Sequence, residues 1–245
     1  MDHSNAQLKD IARANLLGNY STPMLAWVIS AVIVAVLEAP FRPMFNTGIQ
    51  GRSTYHIIIG ILGMIVISLI GSLLGSGVCY IHLKLARRIN IKLGDMFFPF
   101  QNHPDKFIGF YAIIMLISGA CSIPGGVILT IGAGNRSVAM ILLGTVVTAA
   151  GCIILIYIML GLSQTICLLL DKPHDIRVAE AMRESQKLMK GKKKQLFVLG
   201  LSFIPWFLLG ILSCGIGMLF VMPYYQQSLV AFYLAVRREN LPQIE

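Results

Sequence analysis

Apolar residues run along this chain in six long blocks, separated by short polar connections. The blocks cover about residues 23–40, 57–81, 107–131, 138–170, 196–212 and 216–236. About 20 apolar residues, rising ~1.5 Å each, cross a ~30 Å hydrocarbon core as one helix. The blocks approach or exceed that length. Their interiors are continuously apolar, whereas barrel strands alternate apolar and polar positions. The pattern predicts an all-α polytopic bundle of about six transmembrane helices, built as a single domain over 1–245. The third block is interrupted by Pro124-Gly125-Gly126. The fourth is longer than one crossing requires, which predicts a tilt or a projection beyond the bilayer.

One connection carries its own helical pattern. Between Asp175 and Lys190, Ile176, Ala179, Met182 and Leu188 recur on one face. Asp175 is suited to cap the start of that helix. An amphipathic helix with a basic rim is expected to lie on an anionic lipid surface. A faint internal echo accompanies it. Leu16-Leu17-Gly18-Asn19 stands before the first span as Leu188-Met189-Lys190-Gly191-Lys192 stands before the fifth. Phe97-Phe98-Pro99-Phe100 to Lys106 holds a similar place before the third. The echo suggests three units, each a surface helix followed by a helical hairpin.

Composition agrees with a lipid solvent. Only 13% of residues are charged and mean hydropathy is +0.74, whereas a soluble domain is about a quarter charged. The net charge of +9 is a matter of orientation and implies no nucleic acid. Seventeen Lys and Arg residues fall on one side of a six-span topology and three on the other. The three are Arg42, Arg52 and Arg136. Basic loops stay in the cytoplasm, so both termini are expected there. The first stretch, Met1 to Ser21, lacks the apolar core and small-residue cleavage site of a signal peptide. The five cysteines lie in or beside apolar blocks without a CxxC pair and read as packing residues.

Candidate chemistry is sparse. Glu38, at the end of span one, is the candidate buried carboxylate; it can pair with Arg42 or Arg52, or serve proton-coupled transport. His56 and His82 stand at opposite ends of span two, nearly ~40 Å apart by helical rise, so they cannot share a metal. Neither HExxH nor GxSxG occurs, and Gly191-Lys192-Lys193-Lys194 lacks the remainder of a phosphate loop. No catalytic residue, cofactor or metal site is expected. Two features remain. Lys187, Lys190, Lys192, Lys193 and Lys194 form a basic face for lipid or a protein partner. Pro205, Trp206, Pro223 and Tyr224 mark helix breaks, which are either bends bonded by neighbours or the lining of a cavity. Small residues one turn apart, at Gly71/Gly75, Ser72/Ser76 and Gly144/Thr148, favour close helix packing.

The last third of the chain resembles a known family. Ser185, Leu188-Met189-Lys190-Gly191-Lys192, Leu196-Phe197 and Leu201-Ser202-Phe203-Ile204-Pro205-Trp206 carry the likeness. It continues through Gly215-Ile216-Gly217, Pro223-Tyr224 and Ala231-Phe232-Tyr233. This resembles the bacterial integral membrane family called domain of unknown function 975. Its pattern commonly has Gly where Pro205 stands, which implies a sharper bend here. The resemblance implies a multi-pass protein of the bacterial plasma membrane and no particular reaction. The expected role is a non-enzymatic membrane component, either accessory to a transport or envelope complex or lipid-handling. The alternative is a small transporter or permease with a cavity at the proline-broken helices. Expected partners are membrane lipids, with another membrane or cytoplasmic protein as a further partner.

Overall fold

The computed structural model describes residues 4–45 and 54–240. Among these the chain is all-α. The helices are α1 (Asn5–Leu16), α2 (Ser21–Glu38), α3 (Thr54–Ala86), α4 (Phe98–Gln101), α5 (Pro104–Gly134), α6 (Val138–Leu162), α7 (Thr165–Asp171), α8 (Val178–Leu188), α9 (Lys193–Leu201), α10 (Ile204–Leu212) and α11 (Met218–Asn240). Six segments are long and apolar enough to cross a membrane: Ser21–Glu38, Ile58–Ala86, Pro104–Gly134, Val138–Asp171, Lys193–Leu212 and Met218–Arg237. This is the architecture of a multi-pass membrane protein.

The faint echo has a structural counterpart. Three times, a short helix precedes a hairpin of long helices: α1 before α2 and α3, α4 before α5 and α6, and α8 before α9–α10 and α11. Each short helix hands over to its hairpin through a left-handed residue, namely Gly18 (φ 82°), His103 (φ 53°) and Gly191 (φ 80°). That conformation reverses the chain tightly and suits Gly best. One constant shift in numbering lays Leu8, Ala12, Leu16 and Gly18 over Ala181, Ser185, Met189 and Gly191. All six positions other than the glycines are buried. The units also close on one another. The turn before α4, a 3-10 helix at Leu93–Phe97, packs on α3; α8 packs on α6 and α7; α1 packs on α11. Each short segment thus covers the last helix of the preceding unit, in a closed cycle.

Capping explains where the short helices start. Ser4 Oγ accepts the Gln7 N–H and Gln7 Oε1 accepts the Ser4 N–H, at 3.3 and 2.9 Å. The start of α8 differs from the expected cap at Asp175. Its N-cap is Arg177, whose backbone N–H donates to Glu180 Oε2 at 3.1 Å, and Asp175 stays exposed. The apolar stripe of α8 differs too. Ala181, Ser185 and Leu188 are buried against the bundle, because the ends of α6 and α7 offer them a protein surface.

The shared core lies at the end of the bundle that bears these short helices. Leu8, Leu83, Phe107, Leu168, Leu199, Phe203 and Tyr233 all belong to it. Further along the hairpins, each pair packs mainly within itself. On α5 and α6, Gly125 faces Thr148 and Gly151 faces the Cys121 carbonyl so closely that a Cβ would stand about 2 Å away. The small residues of this hairpin, Gly144 and Thr148 included, therefore serve packing between α5 and α6.

Candidate functional site

Three helices, one from each unit, converge in the core: α3, α11 and α7, which continues the span of α6 to Asp171. Their polar residues form a single column. Asp171, the last residue of α7, has a side chain only 2% exposed. It accepts from Arg87 beyond α3 at 2.5 Å, from Arg237 on α11, and from the Tyr233 hydroxyl at 2.5 Å. Arg237 also donates to the Tyr233 oxygen at 2.9 Å. One carboxylate thus binds two guanidiniums, one from each of the other two units. A buried carboxylate keeps its charge only when paired in this way.

Deeper along the same helices, His82 is wholly buried and its Nδ1–H donates to Gln227 Oε1 at 2.7 Å. Cys79 and Cys167 bring their sulfurs to 3.7 Å between α3 and α7. Ser76 and the Tyr111 hydroxyl share a bond of 2.9 Å. His82 Nε2, Gln227 Nε2 and Thr165 Oγ1 are buried without a protein partner among the described residues. Ser185 closes the column from α8, donating to the Gly161 carbonyl at 2.8 Å and accepting the Gln164 N–H at 3.2 Å.

A second feature is a cleft of about 220 Å³ where the end of α1, the start of α10 and the first turns of α11 meet. Leu16, Leu17, Tyr20, Trp206, Phe220, Val221 and Tyr224 line it, and Arg13 stands at its edge. Trp206 and Phe220 are more than a third exposed. Tyr20 donates to the Phe220 carbonyl, close to where Pro223 interrupts the bonding of α11. Burial, and then the neighbouring Tyr224, push the Tyr20 phenol above its ordinary range. Burial lowers the Lys9 ammonium, which lies 4.6 Å from the Phe203 ring and donates to the Ser202 carbonyl at 3.3 Å.

The structure distributes the residues singled out from sequence as follows. Trp206 and Tyr224 share the cleft, and Pro223 lies inside α11 beside it. Pro205 occupies the first turn of α10, where its missing N–H is needed by no intrahelical bond. The fifth span therefore breaks at Ser202–Phe203, ahead of the proline, into α9 and α10. Glu38 pairs with Arg42 at 3.4 Å, with its side chain 29% exposed. Arg52, the other candidate partner of Glu38, lies outside the described residues. Lys187, Lys190 and Lys194 are exposed. Lys193 folds back, its ammonium 3.5 Å from the Tyr157 ring centre.

The column itself escaped the sequence reading. Asp171 and Arg237 follow apolar blocks directly, as interfacial residues do, and His82 looked interfacial for the same reason. One signal was available: Asp171 ends its apolar block with no polar residue before it for a full helical turn. No curated protein and no solved structure matches this chain. A family profile does, the one described as "Protein of unknown function (DUF975)", over residues 1–240. Six membrane-length segments among the described residues and a match across nearly the whole sequence identify the chain as a member of the DUF975 family.

Proposed function

We propose that this protein is a non-enzymatic, lipid-handling component of the bacterial plasma membrane, with both termini on the cytoplasmic side. The observation that carries this reading is the cleft between α1, α10 and α11. It combines exposed aromatic and aliphatic walls with a cation, Arg13, at its edge. An amphiphile with an acyl chain and an anionic head has the complementary chemistry. The exposed Lys187, Lys190 and Lys194 supply a basic face suited to an anionic leaflet. The orientation rests on the Lys and Arg asymmetry of the connections.

The test is native mass spectrometry of the protein extracted with its surrounding membrane. A retained lipid that is lost in Trp206→Ala and Tyr224→Ala, with the fold intact, is the expected result. A stoichiometric second protein with no retained lipid would instead assign an accessory role in a complex.

A further inference from the structure

A second cavity, of about 610 Å³, lies on the other side of the α1–α2 linker, against the end of α3. Its character is opposite to that of the aromatic cleft. Asn15, Asn19 and Asn90 contribute amides, and Arg88 and Lys92 contribute cations. Among the described residues, no carboxylate pairs with Arg88 or Lys92, and the three amide side chains have no protein hydrogen bond. The carboxylate three residues on, Asp95, is already engaged. It accepts from Lys84 at 2.7 Å and from the Lys92 backbone N–H at 2.8 Å.

The backbone delivers these groups in a particular way. Arg88 follows α3 in the left-handed conformation, φ 58°, which a residue with a Cβ rarely adopts. The Arg88 and Ile89 N–H groups bond back to the Leu85 and Lys84 carbonyls, at 3.0 Å each. This turn separates two neighbouring arginines. Arg87 reaches into the core to Asp171, and Arg88 lines the cavity. Leu17, 73% exposed, and Ile89, 51% exposed, form an apolar rim. Leu17 also walls the aromatic cleft.

We propose that this cavity seats the headgroup of an anionic glycerophospholipid that carries free hydroxyls. Its phosphate sits on Arg88 and Lys92. Guanidinium and ammonium groups are the strong phosphate donors, and among the described residues no protein anion pairs with these two. The headgroup hydroxyls sit on Asn15, Asn19 and Asn90, because an amide both donates and accepts. The acyl chains leave over Leu17 and Ile89. The inference rests on the lipid-handling reading and adds to it a headgroup preference and the residues that set it.

The test uses the full chain reconstituted in vesicles of equal parts phosphatidylglycerol and phosphatidylcholine. The retained lipids are counted by native mass spectrometry after extraction. The wild type is expected to retain phosphatidylglycerol in preference. The double variant Arg88→Gln/Lys92→Gln should lower that preference about tenfold, as the loss of one or two charge-assisted bonds implies. Arg88→Lys, which keeps a cation, should restore part of it. In a second set of vesicles, with phosphatidic acid in place of phosphatidylcholine, Asn90→Ala should narrow the preference for phosphatidylglycerol over phosphatidic acid, which lacks the hydroxyls. Trp206→Ala should lower retention of both vesicle lipids alike. An unchanged ratio in a folded double variant would overturn the headgroup site while leaving lipid retention standing. A wild type that retains no lipid would overturn the lipid-handling reading itself. Binding of soluble glycerol phosphate in this cavity, without lipid selectivity, would assign the site to a free solute and overturn the lipid source.

Discussion

Asp171 is held by an arginine and a tyrosine of α11 and by Arg87 in the turn after α3. Removing its charge leaves two guanidiniums, 39% and 24% exposed, without their shared counterion. Losing one partner of a buried pair costs about 3–5 kcal/mol. The partial exposure of both arginines reduces this, so Asp171→Asn is expected to destabilise the protein by about 2–3 kcal/mol. Thermal unfolding in detergent measures the effect. An unchanged midpoint would mean that the carboxylate does not join the three units. Glu38, which pairs with Arg42 one helical turn away and is 29% exposed, offers a contrast. Its exchange for Gln removes an i,i+4 pair of a kind that contributes only a few tenths of a kcal/mol. The two carboxylates differ in burial, which a single sequence does not display. Both simply follow apolar residues.

Among elements, α3 is the helix that most others touch. Gly77 lies against the segment that precedes α4, where a Cβ would stand 1.7 Å from the Met96 carbonyl oxygen. Backbone cannot yield as a side chain can. Gly77→Ala is therefore expected to part the two elements and destabilise by at least about 1–3 kcal/mol. Gly75, two residues earlier on the same helix, has nothing within 4 Å. Gly75→Ala should instead gain up to about 1 kcal/mol of helix propensity. The pair of substitutions, compared by thermal unfolding, separates packing from propensity; equal effects would contradict this contact. The sequence placed Gly75 in a small-residue stripe and did not single out Gly77; only the packed neighbour reveals which of the two is at a contact. The same limit applies to α8. The helix itself was legible, but which of its faces is buried depends on the ends of α6 and α7. At Pro205 the residue type was informative, and the register was not. A proline in the first turn starts a helix, whereas one in the middle bends it.

For the whole molecule, the six spans were legible because bilayer thickness imposes a length that apolar blocks must meet. The convergence of α3, α7 and α11 was not, because it joins residues from distant parts of the chain through contacts without local periodicity. The shared core includes Phe107 and Phe110 of α5, yet the far part of the α5–α6 hairpin contributes nothing to it. The hairpins are thus anchored at one end and packed mostly within themselves at the other. In a background lacking the native cysteines, spin labels at Arg136 and Leu212 should report a broad distance distribution that changes with bilayer thickness. Labels at Lys190 and Lys92, near the anchored end, should report a narrow one. Equally narrow distributions at both ends would show a rigid bundle throughout.

The packing of α1 on α11 also bears on how the protein is made. Translation delivers α1 well before α11, yet Leu8, Ala12 and Leu16 are buried by contacts that include that later helix. Until α11 has emerged from the ribosome, the nascent chain is an open arc in which the apolar stripe of α1 is unclaimed. Closure is then a single late event that completes the membrane fold, and quality-control proteases that sense exposed apolar helices have that interval in which to act.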